Sequence, residues 1–247
     1  DLDYTYGFAN PAAGPVFIEG AEPGDVLVVD IYDIQVADEG TIATDDHCGP
    51  LFEGTDYRTK KIKIEGGMAD FNGVRFPINP MIGVIGTAPA EGAPADGFVG
   101  NYGGNMDNKL ITKGTRLYFP VRVPGALLQM GDVHATMGDA ELCGTGIEIA
   151  GRMCLRVTVY HDRPIERPVI ETADSLYFLA SRRTLEESVK VGTEDAVNFL
   201  MKKFDLNFPD AYRLMSATCD AQISEVVDDN VTIRIRVPKF DNRVRTL

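Results

Sequence analysis

GPVFIEGAEPGDVLVVDIYDIQVA, residues 14–37, decides how the rest of the chain is read. Pro23-Gly24-Asp25 is a turn signal, and the run from Val26 to Ile34 that follows it is rich in β-branched side chains. Asp30 and Asp33 punctuate that run as solvated positions. The composition is that of a strand, and no 3.6-residue spacing competes with it.

Working outward, the same kind of pattern recurs. Residues 60–66, KKIKIEG, alternate polar and apolar as a half-buried strand does, and VRFPI at 74–78 is a further short strand. PMIGVIGTAPAEG, 80–92, joins an apolar strand to a Gly/Pro/Ala loop. The stretch from Thr87 to Gly104 has no period, as expected of a long functional loop. Residues 115–133 read as two strands joined through Pro124-Gly125, a hairpin signal, and 146–160 as one long strand. Residues 38–57, DEGTIATDDHCGPLFEGTDY, read as a polar loop that carries Asp45, Asp46, His47 and Cys48 in a row. Consecutive residues seldom all reach one ion, so a solvated acidic loop is the first reading, and a second metal site or substrate lid the other.

The period changes at Thr184. TLEE is a capping box, with Thr184 as N-cap and Glu187 three residues on, and Leu185, Val189, Ala196, Leu200 and Phe204 recur near helical spacing. A second helix is expected through PDAYRLMSATC, with Pro209 in its first turn. VTIRIRVP, 231–238, closes as a strand with Val231, Ile233, Ile235 and Val237 on one face. The expected architecture is mainly β: a sandwich- or barrel-like body over 1–172 that carries the active site, and a smaller α+β part over 173–247.

Composition bounds the partners. The 247 residues carry a net charge of -13, which disfavours nucleic acid and anionic membranes, and no apolar run approaches the roughly 20 residues of a membrane span. Cys48, Cys143, Cys154 and Cys219 form no CxxC pair and no disulfide framework, so reduced thiols in a cytoplasmic protein are expected. The chain shows no signal-peptide pattern and opens without an initiator Met, so upstream residues are expected.

Chemistry concentrates in 101–151. Asp132 and His134 stand two apart in GDVHATMGDAE, 131–141, and on an extended strand would share a face. Asp139 and Glu141 follow after a Met-Gly break. Asp107 lies upstream in GGNMDN behind two glycines that permit close backbone approach. One histidine with several carboxylates suits a divalent metal or acid–base chemistry.

The phrases GPVFIEGAEPGDVLVVDI, PMIGVIGTAPAEG, GGNMD, GDVHATMGDAE and GIEIAG, in that order and spacing, resemble the acetamidase/formamidase family from about Gly14 to Pro238. The resemblance implies a β-rich body, a small α+β part, a metal-assisted site and hydrolysis of a short linear amide to a carboxylate and ammonia. It also implies a homo-oligomer. Family members usually carry a further N-terminal strand segment, which leaves open whether an upstream residue joins the site. GDAE stands here where GDGE is commoner, and Ala140 tolerates fewer backbone conformations than glycine.

For that chemistry Asp107, Asp132 and His134 are the expected metal ligands, with zinc the first choice. Glu141 is the expected general base and acid, and Asn105, Asp139 and Cys143 line the substrate. Glu148 in GIEIAG is a supporting acid that holds His134 in one tautomer. Competing readings are a Glu141, Lys109, Cys143 nucleophilic trio, hydrolysis of another C–N bond such as a cyclic imide or carbamoyl compound, and a β-sandwich that binds a small molecule or metal without catalysis.

Overall fold

The computed structural model describes residues 10–240, Val244 and Leu247. Sixteen strands and two α-helices are found among them. The first eleven strands are β1 (Ala12–Val16), β2 (Val26–Val36), β3 (Glu39–Thr44), β4 (Arg58–Glu65), β5 (Met68–Phe71), β6 (Val74–Pro77), β7 (Met81–Gly86), β8 (Val99–Gly100), β9 (Gly103–Asn105), β10 (Arg116–Pro120) and β11 (Leu128–His134). β12 (Gly151–Tyr160), β13 (Val169–Glu171) and β14 (Ser175–Arg182) precede α1 (Leu185–Phe204) and α2 (Phe208–Thr218), and β15 (Asp220–Glu225) and β16 (Val231–Pro238) close the fold.

The strands form three antiparallel sheets, ordered β1-β11-β7-β9-β8, β12-β2-β10-β13-β14-β16-β15 and β3-β4-β5-β6. The run in β2 is apolar at nearly every position because both its faces are covered. Leu27, Val29 and Ile31 join Ile82, Ile85, Leu117 and Phe119 in the core between the five- and seven-stranded sheets. Val26 and Val28 face the other way, into a core with Leu176, Phe178, Ile233 and Ile235. Period-2 alternation puts neighbours on opposite faces, and from Val26 to Val29 neither face is wet. The four-stranded sheet docks through Ile62 and Ile64 against Ala135 and Ile147.

The helices fall where the periodicity placed them. Thr184 caps α1 by accepting from Glu187 N at 3.2 Å, and Asn207 caps α2 ahead of Pro209. Ala196, Val197 and Leu200 of α1 pack on Ile233 and Ile235 of β16. Gly192 lets that helix lie close, since a Cβ there would stand 2.8 Å from Ile233 Cδ1. The seven-stranded sheet runs without a break across residue 172, with β13 paired to β10 on one side and β14 on the other.

Two local expectations are corrected. Pro124-Gly125 does not close a hairpin: β10 pairs with β2 and β13, while β11 pairs with β1 and β7, so the chain crosses there from one sheet to the other. Both strands are buried by different partners, which local turn chemistry does not encode. Residues 38–57 are not all loop, because β3 pairs with β4 from Glu39↔Lys63 to Thr44↔Arg58. The strand VTIRIRVP, β16, lies inside its sheet. β14 and β15 flank it, and β12 and β15 are the edges of that sheet. No helix among the described residues is long and apolar enough to cross a membrane.

Candidate metal centre

The site forms where β11 ends, where the segment after β9 passes beneath it, and where residues 138–148 fold back. Asp107, Asp132 and Glu141 all hold positive φ, 35°, 53° and 49°. Non-glycine residues seldom enter this left-handed region, and each such residue costs about 1–3 kcal/mol that surrounding structure must offset. Three ligand-type residues in this state mark a site held in place by its surroundings. Ala140 is strained in the same sense at φ 79°.

Asp132 does not reach His134 by simple strand alternation. The pairing of β11 with β7 passes from Gly131↔Val84 to Val133↔Ile82, and Asp132 leaves the extended conformation opposite Gly83. A Cβ on Gly83 would lie 2.6 Å from both Asp107 Oδ1 and Asp132 Oδ2. Only glycine leaves room there for two carboxylates. Gly146 does the same on the other side, where a Cβ would meet His134 Nδ1 at 2.5 Å.

Four carboxylates converge on the imidazole of His134, whose side chain is 1% exposed. Its Nε2 lies 3.2 Å from Glu148 Oε1, 3.5 Å from Asp132 Oδ1 and 3.9 Å from Asp107 Oδ1, and its Nδ1 lies 4.0 Å from Glu141 Oε1. Ligand atoms of Asp107, Asp132 and His134 fall within 4.8 Å of one another, as do those of His134, Glu141 and Glu148. Asn10 Nδ2 donates to Asp132 Oδ2 at 3.2 Å and to Asn105 Oδ1 at 3.0 Å, and Asn105 Nδ2 donates to Asp228 Oδ2 at 2.8 Å. Gly146 N donates to Glu148 Oε1 at 3.0 Å.

The electrostatics follow from burial and crowding. Burial, then the charge of Glu141, drives the Asp107 carboxyl well above its ordinary range, with His134 pulling it back. Burial also pushes Glu141 up, to about 8; His134 opposes this, and the charges of Glu148 and Asp132 add to it. Glu148 is raised by burial against the pull of His134. For Asp132 burial is outweighed by the hydrogen bond and charge of His134, so it is lowered. Burial would depress His134, but Asp132 and Glu148 hold its pKa well above the ordinary value. The cluster is therefore short of positive charge. Asp107 Oδ1 and His134 Nδ1 are buried with no hydrogen-bond partner. An imidazole nitrogen, carboxylate oxygens and an orphaned buried oxygen make a donor set that fits a divalent cation.

A cavity of about 980 Å³ opens over this cluster, lined among others by Asn105, Asp107, Asp132, Glu141, Cys143 and Glu148. Of the residues singled out for substrate, Asn105 and Cys143 line it. Asp139 does not: its Oδ2 accepts from Arg234 Nη2 and Lys109 Nζ, both at 2.8 Å. Arg234 is buried and also donates to Asn108 and Gln222, so Asp139 serves to tie β16 to the site loop. Lys109 is thereby spent, and the Glu141, Lys109, Cys143 trio does not assemble. The Cys143 thiol donates instead to Ala43 O at 3.4 Å.

Asn10 and Asp228 carried no signal in the sequence, since each lies more than 80 residues from its partner in the site. Glu148 was legible only as a support for His134, yet it is the carboxylate nearest the ring. An acid set between two isoleucines was the available sign.

Fold and site together define a β-rich protein built around a buried imidazole ringed by carboxylates. The chain belongs to the acetamidase/formamidase family, whose model matches residues 8–96 and 99–241. It is 42% identical to a predicted acetamidase/formamidase of known structure from Thermoanaerobacter tengcongensis, with TM-score 0.91 over 94% of this chain and 77% of that one. Against an acetamidase from Bacillus halodurans the identity is 37% and the TM-score 0.92, over 96% and 81%. A putative formamidase from Schizosaccharomyces pombe is 31% identical over 60% of this chain and 51% of that protein. The chain spans about half the length of the curated relatives it matches.

Proposed function

We propose that this chain hydrolyses a short linear amide to a carboxylate and ammonia at the His134 cluster, with a divalent cation, zinc first, held by Asp107, Asp132 and His134. The observation that carries this reading is the convergence of four carboxylates on one buried imidazole, with Asp107 Oδ1 left unpartnered. Membership in a family with relatives named formamidase and acetamidase supports the amide as substrate.

A cation bound there supplies Lewis acidity for an amide carbonyl. Glu141 lines the cavity beside the cluster, where a carboxylate can take a proton and give it back. Its role is general base toward water and general acid toward the leaving amine. Glu148 Oε1 lies on the same Nε2 that faces Asp107 and Asp132, so it stands beside the proposed cation position and not behind the ring, and Asn10 holds Asp132 in place. Asn105 and Cys143 present polar atoms to the substrate from the cavity wall.

Ammonia release from formamide and acetamide, before and after chelation and with metal restored, tests the activity. Release that is indifferent to a chelator, in protein shown to be metal-free, would sink the metal while keeping the amidase. The four cysteines are free, which supports a reducing compartment, and the cytoplasm is the proposed location. The net charge of -13 supports a small-molecule substrate with neither nucleic acid nor membrane as partner. The exposed edge strand β12 supports assembly into a dimer or larger, and light scattering that found only a 27 kDa particle would refute it.

A further inference from the structure

Besides the four carboxylates around His134, the cavity wall carries Asp228, on the loop between β15 and β16. A chain of hydrogen bonds registers it to the site. Asn10 Nδ2 donates to Asp132 Oδ2 at 3.2 Å and to Asn105 Oδ1 at 3.0 Å, and Asn105 Nδ2 donates to Asp228 Oδ2 at 2.8 Å. Asn105 is buried and its oxygen is engaged by Asn10, so its NH2 end is the one turned to Asp228. A second, independent set of contacts holds the loop itself. Glu225 is fully buried, and its Oε1 accepts from Val227 N and from Asp228 N, the latter at 2.7 Å. Ala140 N donates to Ser224 O at 2.7 Å, which fastens the end of β15 to the site loop. Beyond Asp228, Asn230 Nδ2 donates to Val99 O at 3.2 Å. A loop that merely joined two strands would need no buried carboxylate to shape it. Asp228 is located from both sides by buried polar groups, and such preorganisation suits a side chain that must meet a ligand in one geometry.

We infer that Asp228 reads the nitrogen end of the substrate: it accepts an N–H of a primary amide, and so selects primary amides over N,N-dialkyl amides. That the ligand is an amide rests on the amide-hydrolysis reading; the residue and the selection are the new content. A primary amide carries two N–H donors beside its carbonyl. A carboxylate accepts from several donors at once, so the bond from Asn105 and a bond from substrate are compatible. An N,N-dialkyl amide has no N–H to offer. Binding it strips water from the Asp228 carboxylate and returns no donor. Size does not separate the two classes, since a cavity of about 980 Å³ has room for two additional methyl groups.

Acetamide and N,N-dimethylacetamide test this, with acetate as the product common to both. For the parent protein, kcat/KM is expected to be on the order of 10²–10⁴-fold lower for N,N-dimethylacetamide. Asp228→Asn keeps the volume of the side chain. The NH2 of Asn105 holds the substituted side chain by its oxygen, which turns a donor, and no longer an acceptor, toward the substrate N–H. In this variant kcat/KM for acetamide should fall by about 10- to 100-fold, and that for N,N-dimethylacetamide should change by less than about 3-fold. Asp228→Ala, which removes the acceptor outright, is the second variant and is judged by the same ratio. The parent comparison stands whether or not either variant folds. Dissociation constants of both amides for parent and variants, from ligand-observed NMR, give a readout apart from turnover. Equal loss for the two amides in the variants overturns the proposal and leaves Asp228 a tie for its loop. A parent protein that hydrolyses both amides equally well overturns it and leaves the amidase intact. Preferential binding of acetamide that disappears in the variants, without acetate from either amide, sustains the role of Asp228 and removes the amidase. Failure of both amides to bind or react with the parent overturns the proposal.

Discussion

Two clusters in this molecule have the same composition and opposite character. Asp45, Asp46 and His47 bring ligand atoms within 4.8 Å, as Asp107, Asp132 and His134 do. The first lies on a surface loop, with side chains of His47 and Asp46 85% and 56% exposed; in the second His134 is 1% exposed. His47 satisfies itself locally, its N donating to Asp45 Oδ1 and its Nδ1 meeting Asp46 O at 2.9 Å. Water screens and solvates these charges, so nothing compels a cation. The buried cluster has no such outlet, and its orphaned oxygen and strained backbone persist only because neighbouring segments hold them. Burial, and not residue type, separates a site from a polar loop.

The sharpest way to break the comparison is at the histidines. His134→Ala should remove ammonia release below detection and lower metal affinity by more than about a hundredfold, read by metal analysis after dialysis. Retention of both by this variant would dissolve the distinction. Glu141→Gln keeps the shape and removes the proton shuttle. Turnover should drop on the order of 10²–10⁴-fold with metal content unchanged, and loss of the metal instead would make Glu141 a ligand.

A smaller effect probes burial itself. Glu225 is fully buried; burial and the charge of Asp228 push its carboxyl up to about 8, against hydrogen bonds from the N–H groups of Asp228 and Val227. Because its folded pKa lies above its unfolded one, the stability it contributes is fully present below about pH 4.5 and lost as pH rises through about 8. Thermal melts should therefore fall on the order of 5 °C across that window, and Glu225→Gln should flatten the slope. An unchanged slope in the variant would assign the pH dependence elsewhere. The smallest effect is expected at His47→Ala, with stability within about 0.5 kcal/mol of the parent and metal content unaltered, because its partners are solvated. A drop in bound metal there would promote the surface loop to a second site.

What sequence by itself determined is the local part. The β-branched run of β2, the capping box at Thr184, Pro209 at the head of α2 and the two faces of β16 follow from periods of 2 and 3.6 residues and from cap chemistry, all written within a few positions. GDVHATMGDAE likewise marked Asp132, His134 and Glu141 as a group. Only the tertiary structure decided the rest. It sent β10 and β11 to different sheets, enclosed β16 between β14 and β15, and turned Asp139 away to Arg234, 95 residues along the chain. It also brought Glu148 to His134 through isolated bridges from Glu148 to both Thr41 and His134. The physical reason is that strand pairing and charge pairing are contacts between segments distant in sequence. Their partners are set by which surfaces are left to bury once each segment has formed, and no local period carries that choice.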